Sequence, residues 1–106
     1  MRALPTVFLS LLLALPALGA ETTLHGMYQG SAQDLRLRFS DAVVVHLRRH
    51  GGYVDAEGIG HALFGKDPMT ITLDVTDETH FAITVSALKR DPKDVTKWAD
   101  ELRRML

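Results

Sequence analysis

Histidine is the residue type through which this sequence is best equipped to do chemistry. Beyond residue 20 the chain carries five histidines: His25, His46, His50, His61 and His80. His46 and His50 are four residues apart, a spacing that places two imidazoles on one face of a helix, where they can hold a zinc or copper ion. Arg48 and Arg49 put positive charge beside that pair, and no third ligand follows. The main expectation is therefore no metal site, and the helical pair is the alternative.

The other three histidines carry weaker signals. His61 alternates with Ile59 and Leu63, which predicts a hydrogen-bonded histidine pointing into the core. His80 falls on the opposite strand face from Phe81, so we expect it in solvent. Both are interpreted as structural residues.

The segment from Glu21 to Ser31 mixes polar residues with two glycines, and it is expected to be loosely held. His25 and Met27 lie within it, and imidazole and thioether groups both suit copper. A flexible copper ligand set is thus conceivable near this end of the chain.

Acyl-transfer chemistry has little support. Ser40 or Ser86 could join a histidine and Asp74 in a triad, but neither serine lies in a G-x-S-x-G context. A domain of this size also has little room for a closed substrate pocket. We expect a protein that is not an enzyme and needs no cofactor.

The first twenty residues have the pattern of a secretory signal peptide. Arg2 precedes an apolar run from Val7 to Leu15, and Pro16 with the small residues up to Ala20 resembles a cleavage site after Gly19 or Ala20. The run is too short for a membrane span, which needs about 20 apolar residues. Residues 1–20 are predicted to be removed, leaving residues 21–106 as one periplasmic or secreted domain without a transmembrane anchor.

The composition narrows the class of partner. The whole chain has 12 basic and 13 acidic residues, and without Arg2 its net charge is −2. This balance argues against nucleic acid, which needs a basic surface. The chain has no cysteine, so its core must be stable without disulfides.

The elements that would position these groups follow from periodicity. Residues 35–39 alternate strictly, which predicts a strand. Residues 41–50 are ambiguous: three valines favour a strand, whereas Ser40 as N-cap and Gly51 at the C-terminal end favour a helix, and the helix is preferred. Strands are predicted at residues 59–64 and 69–75, with a turn at 65–68 between them, and another strand contains Phe81, Ile83 and Val85.

The last element is predicted to be a helix. Asp91 is a good N-cap, Pro92 is tolerated in the first turn, and an apolar stripe continues to Leu106. Trp98 lies on this stripe and is expected to be its main anchor. The fold class is therefore α+β, with an antiparallel sheet of about four strands, the order β-α-β-β-β-α, and both helices on one face.

From Tyr28 to Val85 the chain resembles an uncharacterised family of small exported bacterial proteins, many of them lipoproteins. The likeness rests on Tyr28-Gln29-Gly30 before a strand, an apolar helix after Phe39 that ends at Gly51-Gly52, and Gly58-Ile59-Gly60 before the hairpin of residues 69–85. The chain departs from the family in lacking a lipid-bearing cysteine and in having residues 87–90 where a glycine-rich turn is expected. The resemblance supports the fold and implies no functional residues.

The function expected from these observations is that of an exported, non-catalytic binding protein. The sheet face opposite the helices would contact an unknown protein or envelope component. This face is expected to carry Thr70, Thr72, Asp74, His80 and Thr84. A small periplasmic copper- or zinc-binding protein using His46 and His50 is the alternative.

Overall fold

Five antiparallel strands form one sheet in the order β1-β5-β4-β3-β2. The computed structural model describes residues 20–106, so the predicted signal peptide lies outside the described residues except for Ala20. A 3-10 turn, Arg48–His50, follows the first helix. The elements are β1 (Ala20–Met27), α1 (Ala32–His46), β2 (Tyr53–Val54), β3 (Gly60–Phe64), β4 (Asp67–Val75), β5 (His80–Ala87) and α2 (Pro92–Arg104).

The predicted α+β class is confirmed, with both helices packed on the same face of the sheet. Side chains from α1, α2 and alternate positions of β3, β4 and β5 share one apolar core. The sheet has one strand more than the expected four, because β1 and the two-residue β2 were not predicted, whereas residues 35–39 are helical.

The predicted strand at residues 35–39 is wrong, because α1 begins before it. Ser31 is the N-cap, and its hydroxyl accepts a hydrogen bond from the backbone N–H of Asp34 at 3.0 Å. The Asp34 carboxylate accepts the N–H of Ser31 at 3.5 Å, which completes a capping box. Leu35 and Phe39 are then one helical turn apart and buried, whereas Leu37 between them is 58% exposed.

The loosely held segment predicted at residues 21–31 is also wrong. Residues 20–27 form β1, which pairs with β5 over eight consecutive positions, from Ala20 opposite Ala87 to Met27 opposite His80. The backbone N–H of Tyr28 extends the ladder by donating to the carbonyl of Thr79 at 2.9 Å. The partner strand β5 comes much later in the sequence, so no local sequence pattern indicates this pairing.

The ambiguous residues 41–50 are helical only in part. Residues 41–46 complete α1, and His50 belongs to the 3-10 turn. Gly51 takes the left-handed conformation (φ 68°) predicted for the end of this helix.

The C-terminal helix is confirmed as α2, whereas the role of Trp98 as its main anchor stays a prediction that the burial pattern does not favour. Asp91 accepts the N–H of Lys93 at 2.9 Å as N-cap. The fully buried side chains of α2 are Val95, Ala99 and Leu102, whereas Trp98 packs against the core and is half-buried.

The phase of β3 differs from the prediction, which placed Ile59, His61 and Leu63 inward. Gly60, Ala62 and Phe64 face the helices instead. A Cβ on Gly60 would lie 3.1 Å from a methyl group of Val43 on α1, so the glycine lets the strand and the helix pack closely. His61 therefore projects to the other face.

Candidate functional site

The two helices leave one face of the sheet uncovered. We call it the open face. Alternate side chains of each strand belong to it, as the strand registers and the burial of the intervening residues in the core show. Its members are Glu21, Thr23, His25, Met27, Tyr53, His61, Leu63, Pro68, Thr70, Thr72, Asp74, His80, Ala82, Thr84 and Ser86. The five residues predicted to lie opposite the helices, at positions 70, 72, 74, 80 and 84, are all among them.

The charge of the open face has one sign. None of its side chains is a lysine or an arginine, and its carboxylates, those of Glu21 and Asp74, are exposed. The basic residues of the domain lie on the helices and in the turns instead. The surface therefore disfavours nucleic acid and other polyanions.

Hydroxyl pairs stiffen the middle of this face. Thr23 and Thr84 are hydrogen-bonded across β1 and β5 at 2.8 Å, and Thr70 and Ser86 across β4 and β5 at 2.7 Å. Cross-strand pairs of this kind stabilise a sheet and hold its side chains in one arrangement. The centre of the face is thus polar and preformed.

A histidine–carboxylate pair lies at the β2–β3 end of the face. His61 Nε2 is 2.7 Å from Asp55 Oδ2, and the ring of Tyr53 stacks on the imidazole with a centroid distance of 4.9 Å. The other carboxylate oxygen of Asp55 accepts the backbone N–H groups of Glu57 and Ile59. The hydrogen bond from His61, followed by that from Ile59, lowers the pKa of Asp55 below its ordinary value of 3.8.

Sequence reasoning missed Tyr53 and Asp55. Their role depends on the phase of β3, which brings His61 to the open face. A carboxylate three residues before Gly58 was the one available signal, since Asp accepting N–H groups of the following residues is a common turn arrangement.

The Asp55–His61 pair gives a testable pH dependence. A carboxylate whose pKa is lowered in the folded state stabilises the fold above the unfolded pKa, and that stabilisation is lost as the pH falls through the folded pKa. Asp55→Asn should therefore lower the melting temperature at about pH 6, and the difference from wild type should shrink below about pH 3.8. Thermal unfolding followed by circular dichroism measures both. Asp41→Asn, an exposed position on α1, is the control, and an equal effect there would contradict the assignment.

A second histidine–carboxylate pair lies at the β1–β5 end. His80 Nδ1 is 2.9 Å from Asp77 Oδ1, which also accepts the backbone N–H groups of Thr79 and His80. The hydrogen bond from the Thr79 backbone, then that from the His80 ring, lowers the pKa of Asp77 to about 2. His80 is exposed, as the sequence predicted.

The structure brings His46 and His50 together around Trp98, away from the open face. Their rings meet the indole edge-on at centroid distances of 5.5 and 5.6 Å, and His50 also stacks on Phe64 at 3.8 Å. Arg90 covers the Phe64 ring at 5.2 Å from its centroid. Both imidazoles therefore have aromatic packing partners at the junction of the helices and the sheet.

His46 Nε2 is a buried nitrogen without a hydrogen bond among the described residues, and the nearest carboxylate oxygen, from Glu101, is 3.5 Å away. Across residues 20–106, no three His, Cys, Asp or Glu side chains come together as a metal site. The two histidines thus have no third ligand of these types in this part of the chain, and metal binding by His46 and His50 stays the alternative hypothesis.

A shallow cleft lies where β1 leads into α1. Tyr28 is buried at its base, and its hydroxyl donates to the carbonyl of Asp77 at 2.9 Å. Glu78 and Asp77 line the opposite wall. The cleft is acidic and wide open, and Tyr28 serves to hold the β4–β5 turn against β1.

No helix within residues 20–106 is long and apolar enough to cross a membrane. Comparisons with protein-family models, curated proteins and solved structures gave no match to this chain.

Proposed function

We propose that this domain is a non-catalytic binding module that recognises another protein through its open face. The observation that carries the proposal is the composition of that face, which is polar and preformed in the middle, acidic in charge and bordered by exposed apolar side chains. In this proposal the Asp55–His61 and Asp77–His80 pairs hold the turns beside the face in place.

The exposed apolar side chains lie at both ends of the face. Tyr53 is 54% exposed and Leu63 is 55% exposed at the β2–β3 end, and Met27 is 71% exposed at the opposite end. Tyrosine and methionine are enriched in protein–protein interfaces, where they supply contact area. The hydroxyl pairs between them offer hydrogen bonds to a polar partner.

The charge of the face selects the kind of partner. Glu21 and Asp74 have no neighbouring lysine or arginine on the face to neutralise them. Acidic patches attract basic surfaces and repel acidic ones, so complementarity favours a basic protein surface over a phosphate-bearing lipid or polysaccharide.

We also propose that the module works in the periplasm or outside the cell, after removal of the N-terminal segment. Ala20 is buried and paired with Ala87 at the start of β1. Cleavage after Gly19 keeps this pair, whereas cleavage after Ala20 removes it. The mature protein is therefore expected to begin at Ala20, which the intact mass of protein isolated from the periplasm would measure; an uncleaved, membrane-retained chain would contradict the localisation.

Site-specific photocrosslinking in cells tests the binding surface. A photoreactive amino acid in place of Thr72 or Thr84 should give the same adduct, identified by mass spectrometry as a protein with a basic surface. The control position is Val44 on α1, which is 42% exposed on the helical side and should give no such adduct. Adducts from position 44 alone would refute the proposed surface.

Charge reversal provides a second test. Asp74→Lys should abolish the adduct at position 84, because it replaces one of the two carboxylates of the open face with a cation. Asp41→Lys makes the same charge change on α1 and should leave the adduct unchanged. Equal yields in the two variants would show that the charge of the open face does not select the partner.

A further inference from the structure

Three residues with metal-binding side chains, Met27, His80 and His25, occupy neighbouring register positions on the open face where β1 pairs with β5. Met27 and His80 are directly opposite each other in the β1–β5 ladder. Directly opposed residues have Cβ atoms about 4.5–5.5 Å apart, close enough for a thioether and an imidazole to share one ion. His25 pairs with Ala82 and is thus the diagonal neighbour of His80 on the same face.

Met27 and His25 have exposed side chains that can turn toward His80, whose ring is held by Asp77. Met27 is 71% exposed, His25 is exposed, and the side chain of His80 is 51% exposed. Ala82, the residue between His80 and Thr84 on β5, is small and leaves space beside His25. The site requires the His25 ring to turn toward the Met27–His80 pair by rotation about its own side-chain bonds.

His80 is oriented as metal-bound histidines usually are. Its Nδ1 atom is held by Asp77 at 2.9 Å, so Nε2 is directed away from the turn and has no hydrogen-bond partner among the described residues. Histidine ligands commonly have a carboxylate on the ring nitrogen that does not bind the metal, which fixes the ring and raises its basicity. Asp77 is itself held by the backbone of Thr79 and His80.

The electrostatic surroundings also favour a cation. The open face has no lysine or arginine, and Asp74 and Asp77 add negative charge near the three side chains. The His46–His50 pair differs in this respect, because Arg48 and Arg49 lie between the two histidines in the sequence and Arg90 lies over the Phe64 ring on which His50 stacks. A thioether is a soft ligand and selects Cu(I) over zinc.

We propose that Met27, His80 and His25 form a binding site for a soft monovalent metal ion, Cu(I) being the biological example. The site holds the ion on the surface at the edge of the sheet, with Asp77 positioning His80. This inference does not depend on the proposed protein-binding function.

Titration of the purified protein tests the site. Cu(I), supplied anaerobically in competition with a chromophoric chelator, should bind with one ion per chain. Silver(I), a redox-inert substitute, should shift the nuclear magnetic resonance signals of the Met27 methyl group and the His80 and His25 rings. Asp77→Asn should weaken binding about tenfold, the low end for loss of such an outer carboxylate, and Met27→Leu should weaken it further, since it removes a ligand.

The chain offers a matched control in Met105, which is also an exposed methionine, at 44%. Met105→Leu should leave Cu(I) affinity unchanged, and zinc should bind more weakly than Cu(I) and respond little to Met27→Leu. Absence of one-to-one binding, equal loss in the two methionine variants, or silver-induced shifts at His46 and His50 would each overturn the proposal. The Asp74→Lys crosslinking result would be unaffected by such a failure, so the two proposals are tested separately.

Discussion

Gly52→Ala is expected to be among the most damaging single substitutions in this domain. A Cβ at this position would lie 2.5 Å from the carbonyl oxygen of Val43 and 2.8 Å from the Cβ of Leu47. Both are fixed atoms at the end of α1, and the Gly52 N–H donates to the Leu47 carbonyl at 2.9 Å, so the loop has little room to move. Overpacking of this kind costs about 3 kcal/mol, a large fraction of the roughly 4–13 kcal/mol expected for a domain of this size.

A comparison with Gly51→Ala separates the destabilisation caused by steric crowding from that caused by backbone strain. Gly51 has a φ of 68° but open space around its Cβ position, so Gly51→Ala should cost only about 1 kcal/mol, the penalty for a left-handed alanine. Urea unfolding of the two variants measures the difference. Similar midpoints would show that the α1–β2 connection relaxes and that contact with Val43 is not the constraint.

Leu102→Ala is expected to destabilise the domain more than Trp98→Ala, although tryptophan is the larger side chain. Leu102 is completely buried, and truncation of a buried leucine costs about 2–5 kcal/mol because a cavity remains. Trp98 is half-buried, and its loss should cost about 2 kcal/mol, below the range for a fully buried tryptophan.

Calorimetric melting temperatures of both variants measure this order. Val44→Ala is the control, because Val44 is exposed on α1 and should change stability by less than about 0.5 kcal/mol. A larger loss for Trp98→Ala would mean that the aromatic contacts with His46, His50 and Phe64 carry more of the α2 packing than burial indicates.

The sequence predicted the elements whose signals are local. Each of these signals involves only residues of the element itself or directly beside it. They are the N-cap Asp91 and the apolar stripe of α2, and the alternation of apolar and polar residues in β4 and β5. The same holds for Gly51, whose left-handed conformation ends the helical region. The fold class followed from these elements.

The failures have two physical causes. In residues 35–39 a strict alternation coincided with helical spacing, because Leu35 and Phe39 satisfy both periods, and the capping box at Ser31 decides for the helix. Strand β1 is determined by its pairing with β5, which comes much later in the sequence, and short-range sequence patterns cannot reveal such a pairing. Because β1 was not predicted, the proximity of Met27 to His80 was not predicted either: these residues become neighbours only through the β1–β5 pairing.

The order of the strands has a consequence for how the chain reaches its native state. Strands β3, β4 and β5 are joined by short turns and can pair as soon as each is available, whereas β1 must wait for β5 although it comes first. Contacts between distant parts of a chain form slowly because a large loop has to be closed first. Until β1 docks, the backbone groups of β5 that will bind it stay unpaired, and such an edge invites association with other chains. Aggregation during refolding should therefore depend on how fast residues 20–27 find their partner, and a soluble peptide of the β1 sequence should compete for the same edge.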